Sequence, residues 1–124
     1  SYMTSQSVTA AETLAARGVD CEIIDLRSVK PWDRELVCES VRKTGHLVVV
    51  DSAWATGGVA AEISATVAEE AFSHLKAPVR RLTLPDAPAP MSRPLEKAYY
   101  LNADDVVATV EEALHIDSTA QRRA

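Results

Sequence analysis

Apolar residues in this chain fall into short unbroken runs and into stripes at helical spacing. The densest run is Leu47-Val48-Val49-Val50, closed by Asp51. A strand without polar alternation belongs inside a parallel sheet, covered by helices on both faces. Asp51 to Ala55 read as a short loop. Thr56 is placed to cap the next helix, and Gly57-Gly58 let the backbone turn tightly into it. That helix carries Val59, Ile63 and Val67 on one face and runs through Ala71 and Phe72 until Pro78 stops it. This strand–loop–helix unit organises the reading of everything around it.

Upstream, Val8, Ala11, Leu14 and Ala15 recur at helical spacing, and Gly18 sits where a helix-terminating glycine belongs. Only Ser1-Tyr2-Met3 precede that helix. The chain therefore reads as a piece cut at, or just inside, its first strand. Its sheet then lacks most of one strand, and another chain or an upstream segment must cover that edge. Val19 to Leu26 predicts the next strand, with Val19, Cys21 and Ile23 on one side and Ile24 and Leu26 on the other. Pro31 discourages helix before it, and Asp33 caps a helix from about residue 34 to residue 44. The stripe of that helix is Leu36, Val37 and Val41, and Gly45 closes it.

Beyond Pro78, Val79 to Leu84 predicts a short strand of mixed polarity near a sheet edge. Pro85 to Glu96 holds four of the six prolines and reads as an extended surface connector, neither helix nor interior strand. Asn102 caps a last helix, with Asp104 and Asp105 in its first turn and His115 near its end, as the helix dipole prefers. Its stripe is Val106, Val107, Val110 and Leu114. No internal repeat is present. The order of elements implies an α/β fold, a three-layer α/β/α sandwich on a mostly parallel sheet. One domain covers residues 1–116, and a polar tail follows over residues 117–124.

Length and charge narrow the classes. With 124 residues the chain can bury its own core without staples. A net charge of −5 disfavours nucleic acid and anionic membrane as partners. No apolar run approaches the roughly 20 residues that span a bilayer, and no signal-peptide pattern opens the chain. The two cysteines, Cys21 and Cys38, form neither a C-x-x-C pair nor a disulfide framework, so a reducing, cytoplasmic setting is expected.

Candidate chemistry is sparse. Gly57-Gly58 at a helix N-terminus offers free N–H groups to an anion, or serves as a turn that lets strand and helix pack closely. No G-x-G-x-x-G occurs, and no Lys-Ser/Thr follows the glycines. Asp51 ends a strand at the sheet edge where ligands usually sit in this architecture. It reads either as a phospho-accepting aspartate of receiver type or as an internal ion pair or loop anchor. The first reading needs further acidic residues at the end of the first strand to hold magnesium, and that region reads Ser1-Tyr2-Met3. Asp25-Leu26-Arg27 is a second charged pair at a strand end. Cys21 and Cys38 read as buried, inert thiols. His46, His74 and His115 show no metal spacing, and no G-x-S-x-G elbow exists. Trp32 and Trp54 lie in loops at one end of the sheet, either as a contact surface or buried against a neighbouring loop.

Four segments in order, CEIIDLRSVKPWD, KTGHLVVVDSAWATGGVAAEI, AEEAFSHLKAPVRRLTLPDAPAPMSRPLE and DDVVATVEEAL, carry a resemblance covering nearly the whole chain. Together they resemble the C-terminal domain of the transketolase group, specifically that of the β subunit of thiamine-diphosphate-dependent 2-oxo acid dehydrogenases (the E1 component). The resemblance implies a parent enzyme acting on pyruvate, a branched-chain 2-oxo acid or acetoin. Thiamine diphosphate and magnesium would be held by the parent's other domains, with no catalytic residue, cofactor or metal contributed by this one. It further implies contacts with a second β subunit and the α subunit, and docking of the peripheral binding domain of the acyltransferase. The matching family residues are Asp25, Arg27, Pro31, Asp33, Thr56, Gly57, Gly58, Glu62, Pro85, Asp86, Pro88 and Pro90, with implied roles in turn geometry, ion pairing and interface shape. The chain departs from the family's usual pattern at Asp51, where Glu is frequent, at Val59, where an aromatic is, and at Ala60, where glycine is.

Overall fold

The computed structural model describes residues 2–115. Within them the order is α1 (Tyr2–Ala16), α2 (Arg34–Thr44), β1 (Val48–Trp54), α3 (Val59–Glu70), β2 (Arg80–Leu84), α4 (Arg93–Tyr99) and α5 (Ala103–Ala113), with a 3-10 turn at Phe72–His74. β1 and β2 pair in parallel, Val48 against Arg80 and Val50 against Leu82, with an irregularity before Trp54 meets Leu84. Parallel neighbours need a crossover, and α3 supplies it.

Alternation along β1 divides the interior in two. Leu47 and Val49 pack toward α2 and α3, against Val37, Cys38, Val41, Ile63 and Val67. Val50 and Leu82 pack the other way, against Met3, Leu14, Val106 and Val107 of α1 and α5. The result is three layers, as the pattern of apolar runs predicts. Leu14, Val41 and Val67 are almost wholly buried, and each such side chain contributes about 1.5–3 kcal/mol by leaving water. Arg17 pairs with the buried Glu111 and so joins α1 to α5, while Arg34 pairs with Glu70 across α2 and α3. Burying Glu111 without Arg17 would leave an uncompensated charge in the interior.

The caps explain where helices start and stop. Asp33 accepts from the Leu36 amide at 3.0 Å, and Gly45 ends α2 at φ 77°. Asn102 accepts from the Asp104 and Asp105 amides, and Asp105 accepts in return from the Asn102 amide, a complete capping box.

Several expectations are corrected. Val19 to Leu26 forms no helix and joins no ladder among the described residues. It keeps a strand's alternation, with Val19 and Cys21 on the α1/α5 side and Ile24 and Leu26 on the α2/α3 side. No neighbouring edge is bonded to it, so the pattern of a strand is present without its hydrogen bonds. The buried stripe of α1 is Met3, Ala10 and Leu14, because the helix starts at Tyr2 and turns Val8 and Ala15 outward. In α2 Leu36 is exposed and Cys38 takes the buried position. α3 stops at Glu70, and Phe72 lies exposed in the 3-10 turn. Thr56 does not cap α3; Gly58 occupies that position, without a side-chain cap. The proline connector gives way to α4 at Arg93, because Pro94 sits in its first turn, where the missing N–H has no helical partner to lose. In α5 Val110 and Leu114 are half-buried, while Glu111 and Ala113 complete the stripe. The polar tail over residues 117–124 lies outside the described residues.

Replacing Leu14 by Ala should lower the unfolding free energy by about 3 kcal/mol, since a wholly buried side chain of the α1/α5 layer is lost. Urea unfolding followed by circular dichroism measures it. A loss under about 1 kcal/mol would mean that this layer is loosely packed.

Candidate functional site

The end of β1 and the turn into α3 form the densest set of candidate residues. Asp51 Oδ1 accepts from the Ala53 amide at 3.0 Å within the irregular stretch between Val50 and Trp54, so the strand expected to end at Asp51 runs on to Trp54 and the loop begins after it. Its Oδ2 is buried and has no hydrogen-bond partner among the described residues. Gly57 follows at φ 70°, a left-handed conformation that favours glycine. Gly58 is required for a different reason. A Cβ there would overlap the Trp54 carbonyl oxygen and would stand 3.8 Å from Asp51 Oδ2. The turn therefore brings backbone against backbone at van der Waals distance, and brings the Asp51 carboxylate to the entry of α3, where the helix dipole favours negative charge.

A second loop braces the first. Asp86 accepts from the Thr56 hydroxyl at 2.6 Å and from the Thr56 amide at 3.3 Å. The Thr56 hydroxyl bond, then backbone bonds from Thr56 and Ala55 and the nearby Arg81 charge, hold the Asp86 carboxyl below the usual carboxylate range. Arg81 also donates to the Ala55 carbonyl at 3.0 Å. Thr56 thus acts as a tie between two loops, a role its sequence position does not disclose. Pro85, Pro88 and Pro90 shape the second loop; Pro85 and Pro88 are exposed and Pro90 is half-buried. The Tyr99 hydroxyl reaches back from α4 to the Ala87 carbonyl at 2.7 Å.

The end of β1 and the turn into α3 line a shallow, open dish of about 320 Å³, formed by Ser52, Ala53, Trp54, Thr56, Gly57 and Gly58. None of its lining side chains is cationic. Glu62 lies exposed in the first turn of α3. At the other loop cluster, Arg27 donates to Asp25 at 3.2 Å, and that bond comes first among the causes that lower the Asp25 pKa. Pro31 accepts from the Ser28 hydroxyl at 2.6 Å, and Asp33 is the α2 cap. The structure brings Asp51, Thr56, Gly57, Gly58 and Asp86 together and leaves Asp25, Arg27, Pro31 and Asp33 as a separate turn.

Nucleophilic and metal chemistry find no support in the geometry. Cys38 is wholly buried and Cys21 half-buried; burial, with the Asp20 charge beside it, pushes the Cys21 thiol above its usual range. His46 faces the Thr44 carbonyl. Ser73 and His74 are 3.2 Å apart, but they are neighbours in an exposed 3-10 turn, with no third group to orient the imidazole. Among the described residues no three His, Cys, Asp or Glu side chains gather as metal ligands. Nor is any helix there long and apolar enough to cross a membrane.

What the surface offers instead is apolar. Trp54 is 51% exposed at the rim of the dish, Met91 is fully exposed and Leu95 is 60% exposed, and α4 buries none of its residues. Trp32 is half-buried against the α2/α3 cluster. The two tryptophans therefore part company, one in the core margin and one on the surface.

Comparison with known proteins gives a consistent picture. The family described as "Transketolase, C-terminal domain" matches residues 1–106. The chain is 48% identical over 111 residues to the mitochondrial pyruvate dehydrogenase E1 component subunit beta of Ascaris suum, covering 89% of this chain and 31% of that one. It is 41% identical over 112 residues to the acetoin:2,6-dichlorophenolindophenol oxidoreductase subunit beta of Cupriavidus necator, covering 90% and 33%. Among solved structures, the inactive beta4 tetramer of a split-gene transketolase superposes with a TM-score of 0.77 at 34% identity, covering 92% of this chain and 36% of that one. The chain thus spans about a third of the length of the curated relatives it matches.

Gly58→Ala should cost about 2 kcal/mol, because the new methyl meets a carbonyl that the strand holds in place; Gly57→Ala, strained only by its positive φ, should cost about 1 kcal/mol. Equal costs would mean that the Trp54 carbonyl yields. Asp86 supplies a pH signature. Its folded pKa is lowered, so its contribution is present above the ordinary aspartate value of about 3.9 and is lost as pH falls through the lowered one. Asp86→Asn should therefore flatten the fall of the urea midpoint below about pH 4. An unchanged slope would remove Asp86 from the acid transition.

Proposed function

Because the chain belongs to the family of transketolase C-terminal domains, we propose that it is the assembly and docking domain of the β subunit of a thiamine-diphosphate-dependent 2-oxo acid dehydrogenase E1 component. The parent decarboxylates pyruvate or a branched-chain 2-oxo acid oxidatively, or cleaves acetoin, and passes the acyl group to lipoyl-lysine. In this reading the domain meets a second β subunit, the α subunit and the peripheral binding domain of the acyltransferase, and works in the cytoplasm. Nucleic acid and membrane are not among its partners.

The observation that carries this reading is the surface of the connector and α4. A helix that buries none of its residues gains little from its own domain, yet Met91 and Leu95 present apolar side chains to water. Such an exposed apolar face marks a surface for contact with another protein. Thiamine diphosphate and magnesium find no fit on this domain. The dish beside Trp54 has no cation among its lining side chains to meet a diphosphate, so no catalytic step is assigned to these residues. Asp51, Thr56, Gly57 and Gly58 then act as a rigid turn. Asp25, Arg27, Pro31, Asp33, Glu62, Pro85, Asp86, Pro88 and Pro90 set loop shape and interface contour.

The experiment places Met91→Asp together with Leu95→Asp in the complete β subunit, co-expressed with its α subunit, and measures assembly by analytical ultracentrifugation. Assembly should weaken by about 100-fold, while the melting temperature of the β subunit alone stays close to that of the parent. Full assembly with undiminished acyltransferase binding in calorimetric titration would overturn the proposal. The competing reading, a free-standing module holding an anion at Asp51 and Gly57-Gly58, predicts saturable binding of inorganic phosphate with magnesium by the 124-residue chain.

A further inference from the structure

At seven residues α4 is a short helix, and it has little packing to hold it. A helix under about 12 residues is marginal in water without tertiary support. None of its residues is buried, and none joins either apolar cluster. No ion pair among the described residues involves it. The chain is fixed on either side instead. Leu84 is buried before it, and Leu101 packs against the α1/α5 cluster after it. Residues 85–100 thus form a strap pinned at both ends, with α4 in its second half.

What holds the strap between its pins is polar. The Ala87 amide donates to the Pro85 carbonyl at 2.7 Å, closing a three-residue turn about Asp86. That turn is bonded on two sides. The Asp86 carboxylate accepts from the Thr56 hydroxyl at 2.6 Å and from the Thr56 amide at 3.3 Å, and so meets the turn into α3. The Ala87 carbonyl accepts from the Tyr99 hydroxyl at 2.7 Å, and so meets the end of α4. Among the described residues this is the one side-chain hydrogen bond between α4 and the rest of the domain. Tyr99 is also the one residue of α4 that is half-buried, the other six being exposed. The Tyr100 ring stands edge-on to it, with 5.2 Å between ring centroids, which limits its freedom to swing away. The far end of the tie is rigid. Gly58 lies against the Trp54 carbonyl, and Arg81 holds the Ala55 carbonyl at 3.0 Å.

We propose that Thr56 and Tyr99 are positioning residues for the contact face of α4. The Thr56–Asp86 and Tyr99–Ala87 bonds act in series through one turn and hold Met91 and Leu95 in a fixed place relative to Trp54. The inference rests on the reading of α4 as a docking face. A partner meeting a loose strap must order it on every encounter, whereas a strap already tied binds without that loss. Pro85, Pro88, Pro90 and Pro94 narrow the paths open to the strap, but they do not choose among those that remain. The tie makes that choice. Its bonds are exposed, so they add little to the stability of the domain; their effect lies in where α4 sits.

The test uses the complete β subunit. Tyr99→Phe removes only the hydroxyl at one end of the tie. Thr56→Val removes it at the other, with Thr56→Ser as the conservative control. Amide exchange is read on the β subunit alone, and assembly with the co-expressed α subunit by sedimentation. Tyr99→Phe and Thr56→Val should each speed exchange at residues 96–100 by about five-fold and weaken assembly by a similar factor, with the melting temperature unchanged. Thr56→Ser should restore both. Because the bonds act in series, the double variant should do no more than either single one. Unchanged exchange in α4 overturns the proposal, and so do additive effects, since independent bonds do not make one tie. Met91→Asp with Leu95→Asp separates this proposal from the docking reading. If that pair weakens assembly while Tyr99→Phe speeds exchange without weakening it, α4 docks but is not positioned by the tie, and the proposal falls. If that pair leaves assembly intact, the docking reading falls, while faster exchange in both hydroxyl variants still establishes the tie.

Discussion

Val48, Val49 and Val50 have to be covered from two directions at once, and the arrangement of this domain follows from that. A strand polar on one face could rest on a single helical layer. β1 cannot, so α2 with α3 and α1 with α5 must both be present, each presenting a narrow apolar stripe. The ion pairs sit where these helices would otherwise slide. Arg34 with Glu70 joins one layer, and Arg17 with Glu111 the other. Arg80 with Glu112, at 3.2 Å, fastens β2 to α5. The surface pairs among them add little energy individually. The buried Glu111 differs, because its charge is tolerable only while Arg17 stays in place.

The loop after β1 inherits its rigidity from the same packing. Because α3 must return close to the strand it follows, Gly58 lies against the Trp54 carbonyl, and no side chain fits between them. Asp86 then locks Thr56 from the neighbouring loop, so the edge of the sheet is braced rather than mobile. The Thr56 hydroxyl and amide and the Asp86 carboxylate are consumed by these internal bonds. Trp54, Met91 and Leu95 remain outward and apolar, which is why the edge reads as a surface for protein contact rather than a centre for chemistry.

Most of the helices and the layer order were legible from the residues, because capping and period are local properties. Asp33, Gly45 and Asn102 announce their positions within a few residues of where they act. The segment from Val19 to Leu26 was misread for a physical reason. Alternation assigns Val19, Cys21, Ile24 and Leu26 to their layers, while Ile23 stays exposed, and a ladder also needs a neighbour, which sequence periodicity does not contain. Thr56 stands where a cap is expected, because capping is the commonest use of threonine before a helix. Its partner Asp86 lies 30 residues away, and no local signal connects them. The start of α4 was missed because prolines were weighed by number. Pro94 is compatible with a helix in the one place it occupies. Glu111 was invisible for a similar reason, since a glutamate in a helical stripe looks like a break in it until Arg17 is seen opposite.

A domain that folds for its own sake keeps its surface helices amphipathic, yet α4 buries none of its residues. That exposure is not explained by contacts among residues 2–115. The exposure of α4 is accounted for if a partner covers the proline-shaped face that Met91 and Leu95 present. Stability and assembly are then linked by mass action: whatever covers that face binds the folded form and not the unfolded one, so partner binding and folding reinforce each other. A domain of this kind has little use for a catalytic constellation of its own. The bracing of its loops by Asp86 and the close approach at Gly58 serve to present a fixed contour, since a contour that moved would lose the entropy of its own ordering on every encounter.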